Sequence, residues 1–210
     1  MKKISTILLF FIFIITNKCS AQQTFVGLEL GLGNTVFNTI GLFEIPSTDY
    51  DNYLNVGATF DHVPKNALFR YKSGLIFKQQ ANNNGSLQYI HIPLGIDIIS
   101  KGKLYGFIGA GGYSSYLLMD NGFEDHFYIE DKILFKETIK KFQLGGYIDL
   151  GIGYKFIDRW SLELFYQKGS DLTKLFDDYG HTNYFSLEIH PIGTVFQLIG
   201  ITVKKDLQFN

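Results

Sequence analysis

Histidines, serines and acidic residues are the side chains of this sequence that could support catalysis. The five histidines are His62, His91, His126, His181 and His190. Some membrane-embedded hydrolases and acyltransferases act on lipids with a histidine, a serine and an acid. A lipid A deacylase would need the pattern His-x-Ser, and none of the five histidines is followed two residues later by serine. The sequence therefore contains no motif for that reaction.

Two groupings could still bring a histidine to a catalytic partner. Ser186, Glu188 and His190 share one face if their segment is a strand, because side chains alternate with a period of two; we interpret them as a polar loop face. His91 and Asp97 fall on one face of another predicted strand, where a hydrogen-bonded core histidine is the commoner role. We therefore predict no catalytic residue, and we expect that the protein is not an enzyme.

One acidic segment offers oxygen ligands, namely Glu124, Asp125, His126, Glu130 and Asp131. Carboxylates of this kind bind calcium or a cationic ligand when their spacing wraps around the ion. The segment lacks EF-hand spacing, so we interpret it as a solvated surface loop. The sequence also lacks a phosphate-binding loop and a metalloprotease motif. We therefore predict neither a metal site nor a cofactor.

Residues 89–98 form the most regular of the elements that would position these side chains. Five aliphatic residues alternate there with Tyr89, His91, Pro93, Gly95 and Asp97. A period of two places the aliphatic set on one face of a β-strand and the polar or small set on the other. Pro93 cannot donate a hydrogen bond to a neighbouring strand, so we expect a local break in pairing there.

The same alternation recurs along the chain and predicts a closed barrel of about eight strands. Most of these segments are close to the roughly 9–11 residues with which a tilted strand crosses a bilayer. Residues 104–118 are rich in glycine, and a bulge at Gly111 and Gly112 would explain their blurred alternation. The pattern does not decide which face of the last strand points inward. The other strand segments are 25–32, 53–61, 69–78, 142–156, 160–167 and 194–204.

The predicted connections differ in length in a regular way. Short ones lie near 62–66, 99–103 and 157–159, and the one near 79–86 is intermediate. Long ones lie near 34–52, 119–139 and 169–193. Outer-membrane barrels combine short periplasmic turns with longer external loops, and both chain termini then lie on the side of the short turns. The long connections would carry any binding of an external ligand.

Alternation by itself does not say which face points inward. A soluble lipocalin-like carrier would place apolar side chains inside, whereas a membrane barrel places them outside. Aromatic residues near strand ends, the loop asymmetry and the absence of a convincing helix favour the membrane. Exposing an Arg or Lys to mid-bilayer lipid costs about 2–4 kcal/mol, so charged side chains should share a filled interior. These are Glu29, Arg70, Lys72, Asp97, Asp149, Lys155 and Glu163.

The N-terminus is typical of an export signal. Lys2 and Lys3 precede an apolar run over 7–15, and Cys19, Ser20 and Ala21 are small residues at a cleavage site. We predict a signal peptide over 1–21 and a barrel domain over 22–210. Lipidation of Cys19 is the alternative, although Lys18 stands where a lipoprotein signal has a small residue.

Cleavage after Ala21 would leave no cysteine, because the chain contains a single one, and so no disulfide or thiol chemistry. The signal contains three of the 19 basic residues and none of the 20 acidic ones, so the mature net charge is −4. This charge argues against nucleic-acid binding.

The segment Tyr-Ile-His-Ile-Pro-Leu at 89–94 resembles the Tyr-x-x-Ile-Pro-Leu strand of small PorT-like outer-membrane β-barrel proteins. Residues 107–113 and 162–166 are similar to later strands of that family. The chain departs from the family at Phe165, where a basic residue is common, and at its C-terminus, which lacks a clean terminal aromatic. The resemblance implies the fold and an outer-membrane location, but no defined activity and no role in secretion.

Our interpretation is an all-β, antiparallel, up-and-down transmembrane barrel in the outer membrane of a Gram-negative cell envelope, with a structural or surface-interaction role. We expect outer-membrane lipids as partners, together with the barrel-assembly machinery during insertion, and a monomeric state. Two alternatives remain at this point, an outer-membrane lipid-modifying enzyme and a soluble periplasmic lipocalin-like carrier.

Overall fold

The computed structural model describes residues 23–40, 51–65, 67–81, 85–121, 126–129, 132–136, 141–156, 159–173 and 190–207, without the side chains of 36–40, 51, 126–129, 132–136 and 190–194. The chain forms ten strands in these ranges. They are β1 (Gln23–Ile40), β2 (Asp51–Val63), β3 (Phe69–Ala81), β4 (Ser86–Ile99), β5 (Leu104–Asn121), β6 (His126–Ile129), β7 (Lys132–Lys136), β8 (Phe142–Lys155), β9 (Trp160–Asp171) and β10 (His190–Asp206).

Eight of the strands close into one antiparallel barrel in the order β1, β2, β3, β4, β5, β8, β9 and β10. Each strand pairs with the next barrel strand along the chain, and β10 returns to β1 over a register that runs from Phe25↔Asp206 to Ile40↔His190. The remaining two strands, β6 and β7, pair only with each other. The described residues contain no helix long and apolar enough to span a membrane. The predicted fold class and number of barrel strands are confirmed.

The two ends of the barrel differ. We call one the short-turn end, because it holds the tight connections β2–β3, β4–β5 and β8–β9 and both ends of the barrel chain, Gln23 and Asp206. The β4–β5 turn contains Gly102 with a φ of 134°, a conformation that L side chains rarely adopt. The opposite end is the loop end. Three of the four connections at the loop end are long, as predicted, but the β3–β4 connection, predicted to be intermediate over 79–86, has four residues and is as short as the tight turns.

The strands at the loop end are longer than the alternation predicted. β1 continues to Ile40 and β5 to Asn121, while β10 begins at His190. The predicted connections 34–52, 119–139 and 169–193 are therefore too wide, and the middle one contains the β6–β7 pair. Residues such as Asn34 and Thr35 pair through their backbones with Gln197 and Phe196. Polar side chains do not interrupt such backbone pairing, so hydropathy alone predicts strands that are too short at the loop end.

The structure settles two details of backbone pairing. Direct partners between β3 and β4 skip Ile92 and Pro93 and resume in the same register, which confirms a break at the proline. The suggested bulge at Gly111 and Gly112 is wrong, because both pair regularly with β4. The irregularity lies further along β5, at Leu118, opposite the step from Gln88 to Tyr89.

Candidate functional site

The outer wall of the barrel is aliphatic, and its inner wall is polar or aromatic. Ile92, Leu150 and Leu164 are exposed on the outside, whereas Asp97 and Glu163 are buried inside. The predicted faces of β1, β2, β3, β4, β8 and β9 are confirmed. The last strand directs Phe196, Leu198, Thr202, Lys204 and Asp206 inward. Its first two inward residues are apolar, which explains why alternation did not reveal its phase.

Five charged side chains form an ionic cluster inside the short-turn half, namely Asp61, Arg70, Asp97, Glu163 and Lys204. The guanidinium of Arg70 donates to Asp97 Oδ2 from Nε at 2.8 Å and from a terminal nitrogen at 2.5 Å. It also donates to Glu163 Oε1 and lies 3.6 Å from Asp61 Oδ2. The ammonium of Lys204 donates to Asp61 at 2.5 Å and to Glu163 Oε2 at 2.6 Å. The cluster joins five strands across the lumen.

A second ion pair lies one step closer to the loop end. Lys72 Nζ donates to Asp149 Oδ2 at 2.8 Å, from β3 across to β8. The carboxylates of Asp149 and Asp97 both lie over Gly109. A methyl group added to Gly109 would lie 2.5 Å from Asp149 Oδ1 and 2.0 Å from Asp97 Oδ1. Neither Oδ1 atom has a hydrogen-bond partner in the described part of the chain. Two carboxylate oxygens without a described hydrogen-bond donor therefore face each other at this point of the lumen.

An aromatic layer closes the lumen nearer the loop end. The ammonium of Lys78 lies over four rings, at 4.8 Å from the centroid of Tyr53, 5.2 Å from Phe196, 5.6 Å from Tyr89 and 5.7 Å from Tyr113. Such contacts stabilise a desolvated cation. Tyr53 stacks on Phe196 at 5.3 Å, and the hydroxyl of Tyr113 donates to Asp171 at 2.6 Å. Rings and ion pairs together fill the described lumen.

Inward-facing glycines make room for this filling. The ring of Phe107 covers Gly151, that of Tyr113 covers Gly145, and that of Tyr105 covers Gly153. A methyl group on any of these glycines would come within 2.5 Å of the ring above it. An eight-stranded barrel is narrow, so a large side chain on one strand requires a small residue beside it. This requirement accounts for much of the glycine on β5 and β8.

The structure brings a histidine and a serine together, although not the predicted pair. His91 Nδ1 lies 2.9 Å from Ser115 Oγ, and its ring lies 4.5 Å from that of Tyr113. Asp97 binds Arg70 instead of His91. His91 and Ser115 are 2% and 1% exposed, inside the wall and away from either rim. A lipid ester outside the barrel cannot reach them, so this contact has the geometry of a core hydrogen bond.

The other candidates lie mostly outside the described residues. The suggested strand extension over 184–189 lies outside the described residues. So do six of the candidate side chains, namely Ser186, Glu188, Glu124, Asp125, Glu130 and Asp131. His190 begins β10 and His126 begins β6, in each case without a described side chain. In the described ranges, no three His, Cys, Asp or Glu side chains gather as a metal site would require.

The inward charges differ from prediction in two ways. Lys155 is exposed at the mouth of the short-turn end, 5.6 Å over the ring of Tyr105, because β8 ends there. The prediction that it is buried with the other charges is wrong. The predicted set of inward charges also lacked Asp61, Lys78 and Lys204, all of which are buried in the lumen. The first two occupy the polar phase of their strands, and that signal could have found them. Lys204 lies on the strand of unknown phase.

Comparison with solved structures places this architecture among known folds. Neisserial surface protein A is 8% identical, with a TM-score of 0.52 over 86% of this chain and 96% of that one. The N-terminal β-barrel domain of Pseudomonas aeruginosa OprF is 10% identical over 87% and 98%, with a TM-score of 0.42. The outer membrane protein AlkL is 10% identical over 89% and 90%, with a TM-score of 0.44.

No protein-family model and no curated protein sequence matches the chain. The strand order and the similarity to Neisserial surface protein A carry the assignment of the fold. At 8% identity that similarity speaks for the fold alone. The chain has the closed, eight-stranded, antiparallel fold of small outer-membrane β-barrels.

Proposed function

We propose that this protein is an integral outer-membrane barrel with a structural or surface-interaction role, exported by a signal peptide over residues 1–21. The observation that carries the proposal is the inverted polarity of the barrel. The outer wall exposes aliphatic side chains on every barrel strand, while four buried cations and their carboxylates lie inside. A wall of this kind is stable in hydrocarbon and is an aggregation hazard in water.

The same polarity argues against the periplasmic carrier. A carrier for lipids needs charged side chains in water and a hollow apolar interior. Here Arg70, Lys72 and Lys204 bind carboxylates inside the barrel, and aromatic rings occupy the rest of the lumen. A fatty acid would have to displace the ionic cluster in order to enter.

A filled lumen also favours an interaction role over a pore. The ionic cluster and the aromatic layer lie one above the other along the barrel axis, and both consist of buried side chains. We propose that contacts with other molecules involve the segments at the loop end and that the barrel is monomeric and inserted by the barrel-assembly machinery. Kinship with PorT-like proteins belongs to the same proposal and rests on the Tyr89–Leu94 motif.

Trp160 provides a direct test, because it is the only tryptophan of the chain and is 40% exposed on the outer wall at the short-turn end. The chain without residues 1–21 is folded into vesicles whose lipids carry bromine at a defined depth. We expect bromine near the headgroups to quench Trp160 fluorescence more than bromine at the bilayer centre. A chain that stays in buffer with unquenched Trp160 would refute membrane insertion.

A further inference from the structure

A long apolar groove crosses the outer wall close to the short-turn end. It lies between two rows of outward residues, one with Ile98, Ile108 and Leu150, the other with Ser100, Gly106 and Ile152. Its volume is about 760 Å³, and its lining is almost entirely apolar. Gly106 has no side chain and Ser100 has a small one, so the outward row is least filled at β4 and β5.

The short-turn end is strongly cationic on its outside. Six exposed basic residues lie at this end, namely Lys65, Lys101, Lys103, Arg159 and Lys205, together with Lys155 at the mouth of the lumen. Of the acidic side chains that the structure describes, only Asp120 is exposed, and it lies near the loop end. Acidic side chains of the barrel instead point inward to Arg70, Lys72 and Lys204. Among the side chains that the structure describes, basic ones therefore predominate at this rim, with Asp206 of β10 close to Lys155 and Arg159.

The groove and the cations meet at the β4–β5 turn. Ser100 lines the groove and is followed directly by Lys101, Gly102 and Lys103. The backbone oxygen of Lys103 accepts from the amide of Lys155 at 2.8 Å, which holds the turn against the end of β8. Lys103 Nζ lies 5.4 Å over the ring of Tyr154, an outward residue two positions beyond Ile152. A cationic head therefore lies where the apolar groove reaches the rim.

We propose that this groove binds one anionic phospholipid of the leaflet on the short-turn side. An acyl chain lies between the two rows, and the phosphate contacts Lys101 and Lys103. The inference rests on the proposed membrane location and adds a headgroup preference to it. Its basis is charge complementarity, since a basic residue close to an anionic lipid surface contributes about a fivefold gain in affinity. A second barrel copy would not explain why cations border the groove.

The test uses tryptophan as a local reporter in the full mature chain. Trp160→Phe removes the native fluorophore, and Ile108→Trp then places one inside the groove. Val56→Trp in the same background reports on β2, an outward site away from the groove. Each protein is folded into zwitterionic vesicles that contain a small fraction of brominated phosphatidylglycerol or brominated phosphatidylcholine. The ratio of quenching by the two lipids measures the headgroup preference at each site.

We expect brominated phosphatidylglycerol to quench Ile108→Trp at about a tenfold lower fraction than brominated phosphatidylcholine, with no such preference at Val56→Trp. Adding Lys101→Gln and Lys103→Gln should remove the preference, whereas Lys205→Gln, on β10 and three strands away from β5, should leave it. Gly106→Leu should weaken quenching by filling the groove. The matched Gly112→Leu should not weaken quenching, because it lies on the same strand outside the groove and its added Cβ meets no atom closer than 3.4 Å.

Two results separate this inference from the proposed function. If both reporters are quenched but show no preference for the anionic lipid, or if Lys101→Gln with Lys103→Gln leaves the preference intact, the phospholipid site is refuted while the membrane barrel stands. If neither brominated lipid quenches either reporter, the proposed membrane location fails and the lipid site fails with it.

Discussion

Asp149 and Leu150 are consecutive residues of β8, yet Asp149 is 1% exposed inside the lumen and Leu150 is 51% exposed on the outer wall. Asp149 binds Lys72 at 2.8 Å, whereas Leu150 lines the apolar groove. Because successive side chains of a strand point to opposite faces, neighbouring residues of β8 lie in the polar lumen and on the apolar outer wall in turn. The stability of the barrel in a bilayer therefore depends on the identity of each residue in each phase.

The first prediction compares these two positions. Leu150→Arg should prevent stable membrane assembly, because arginine at the lipid-facing midplane costs about 2–4 kcal/mol. Asp149→Asn should be mild, because the amide oxygen still accepts from Lys72, the carboxylates of Glu29 and Asp97 remain near that ammonium, and the repulsion between residues 149 and 97 falls. The measurement is the fraction of chain that migrates as a folded, heat-modifiable species in gels of the membrane fraction. Equal tolerance of both substitutions would contradict the assigned phase.

The second prediction concerns the ionic cluster. Arg70→Met leaves the carboxylate of Asp97 without its partner and removes one of the two cations that bind Glu163, so it should lower the free energy of unfolding by about 3–5 kcal/mol. Urea unfolding in lipid vesicles measures the change. Lys168→Met is the matched control, since Lys168 is exposed on β9 and its loss should cost less than about 0.5 kcal/mol. Similar costs for the two variants would mean that the cluster does not stabilise the barrel.

The third prediction concerns the fit between rings and glycines. In Gly151→Ala the new methyl group would lie 2.4 Å from the backbone oxygen of Leu164 and 2.5 Å from the ring of Phe107. Because one of these atoms is backbone, we expect a loss of about 1–3 kcal/mol in unfolding experiments. Gly146→Ala on the same strand meets nothing closer than 3.6 Å and should be nearly neutral. A reversed order of the two costs would argue against the packing of the lumen.

The fourth prediction concerns permeability. Buried ion pairs and the rings around Lys78 fill the described lumen, so the folded protein should give no steady conductance in planar bilayers. A porin with 16 or more strands, which leaves an aqueous channel, is a suitable positive control. Reproducible stepwise conductance from the purified wild-type chain would overturn the closed lumen and favour a transport role.

Alternation was sufficient to predict the strands whose two faces differ clearly. β4 carries aliphatic residues at every outward position from Ile90 to Ile98, and β8 carries apolar or aromatic residues at every outward position except Gly146, so both their existence and their phase followed from the pattern. The strand of β10 was predicted but not its phase, because Phe196 and Leu198 point inward into the aromatic layer. The phase of β5 was likewise blurred, because its inward face mixes Tyr105, Phe107 and glycines. Hydropathy cannot distinguish a ring that faces lipid from one that fills a lumen.

Partner choice inside the lumen was not predictable from the sequence. Asp61 lies directly opposite Lys72 in the β2–β3 register, yet Lys72 binds Asp149, 77 positions further along the chain. Lys204 and Asp61 are 143 positions apart and meet only because the barrel closes. The His91–Ser115 contact also depends on strand register, which the turn lengths alone did not fix.

Collision of spin labels with oxygen and with a water-soluble nickel complex on β8 tests the central claim most directly. Single cysteines at Leu144, Ile148, Leu150 and Ile152, in a chain without Cys19, carry the label in lipid vesicles. We predict high collision rates with oxygen and low rates with nickel at all four positions. The ratio of the two rates should be greatest at the position nearest the bilayer centre. Frequent nickel collisions at Ile148 and Leu150 in the folded barrel would show that this wall faces water and would contradict the account.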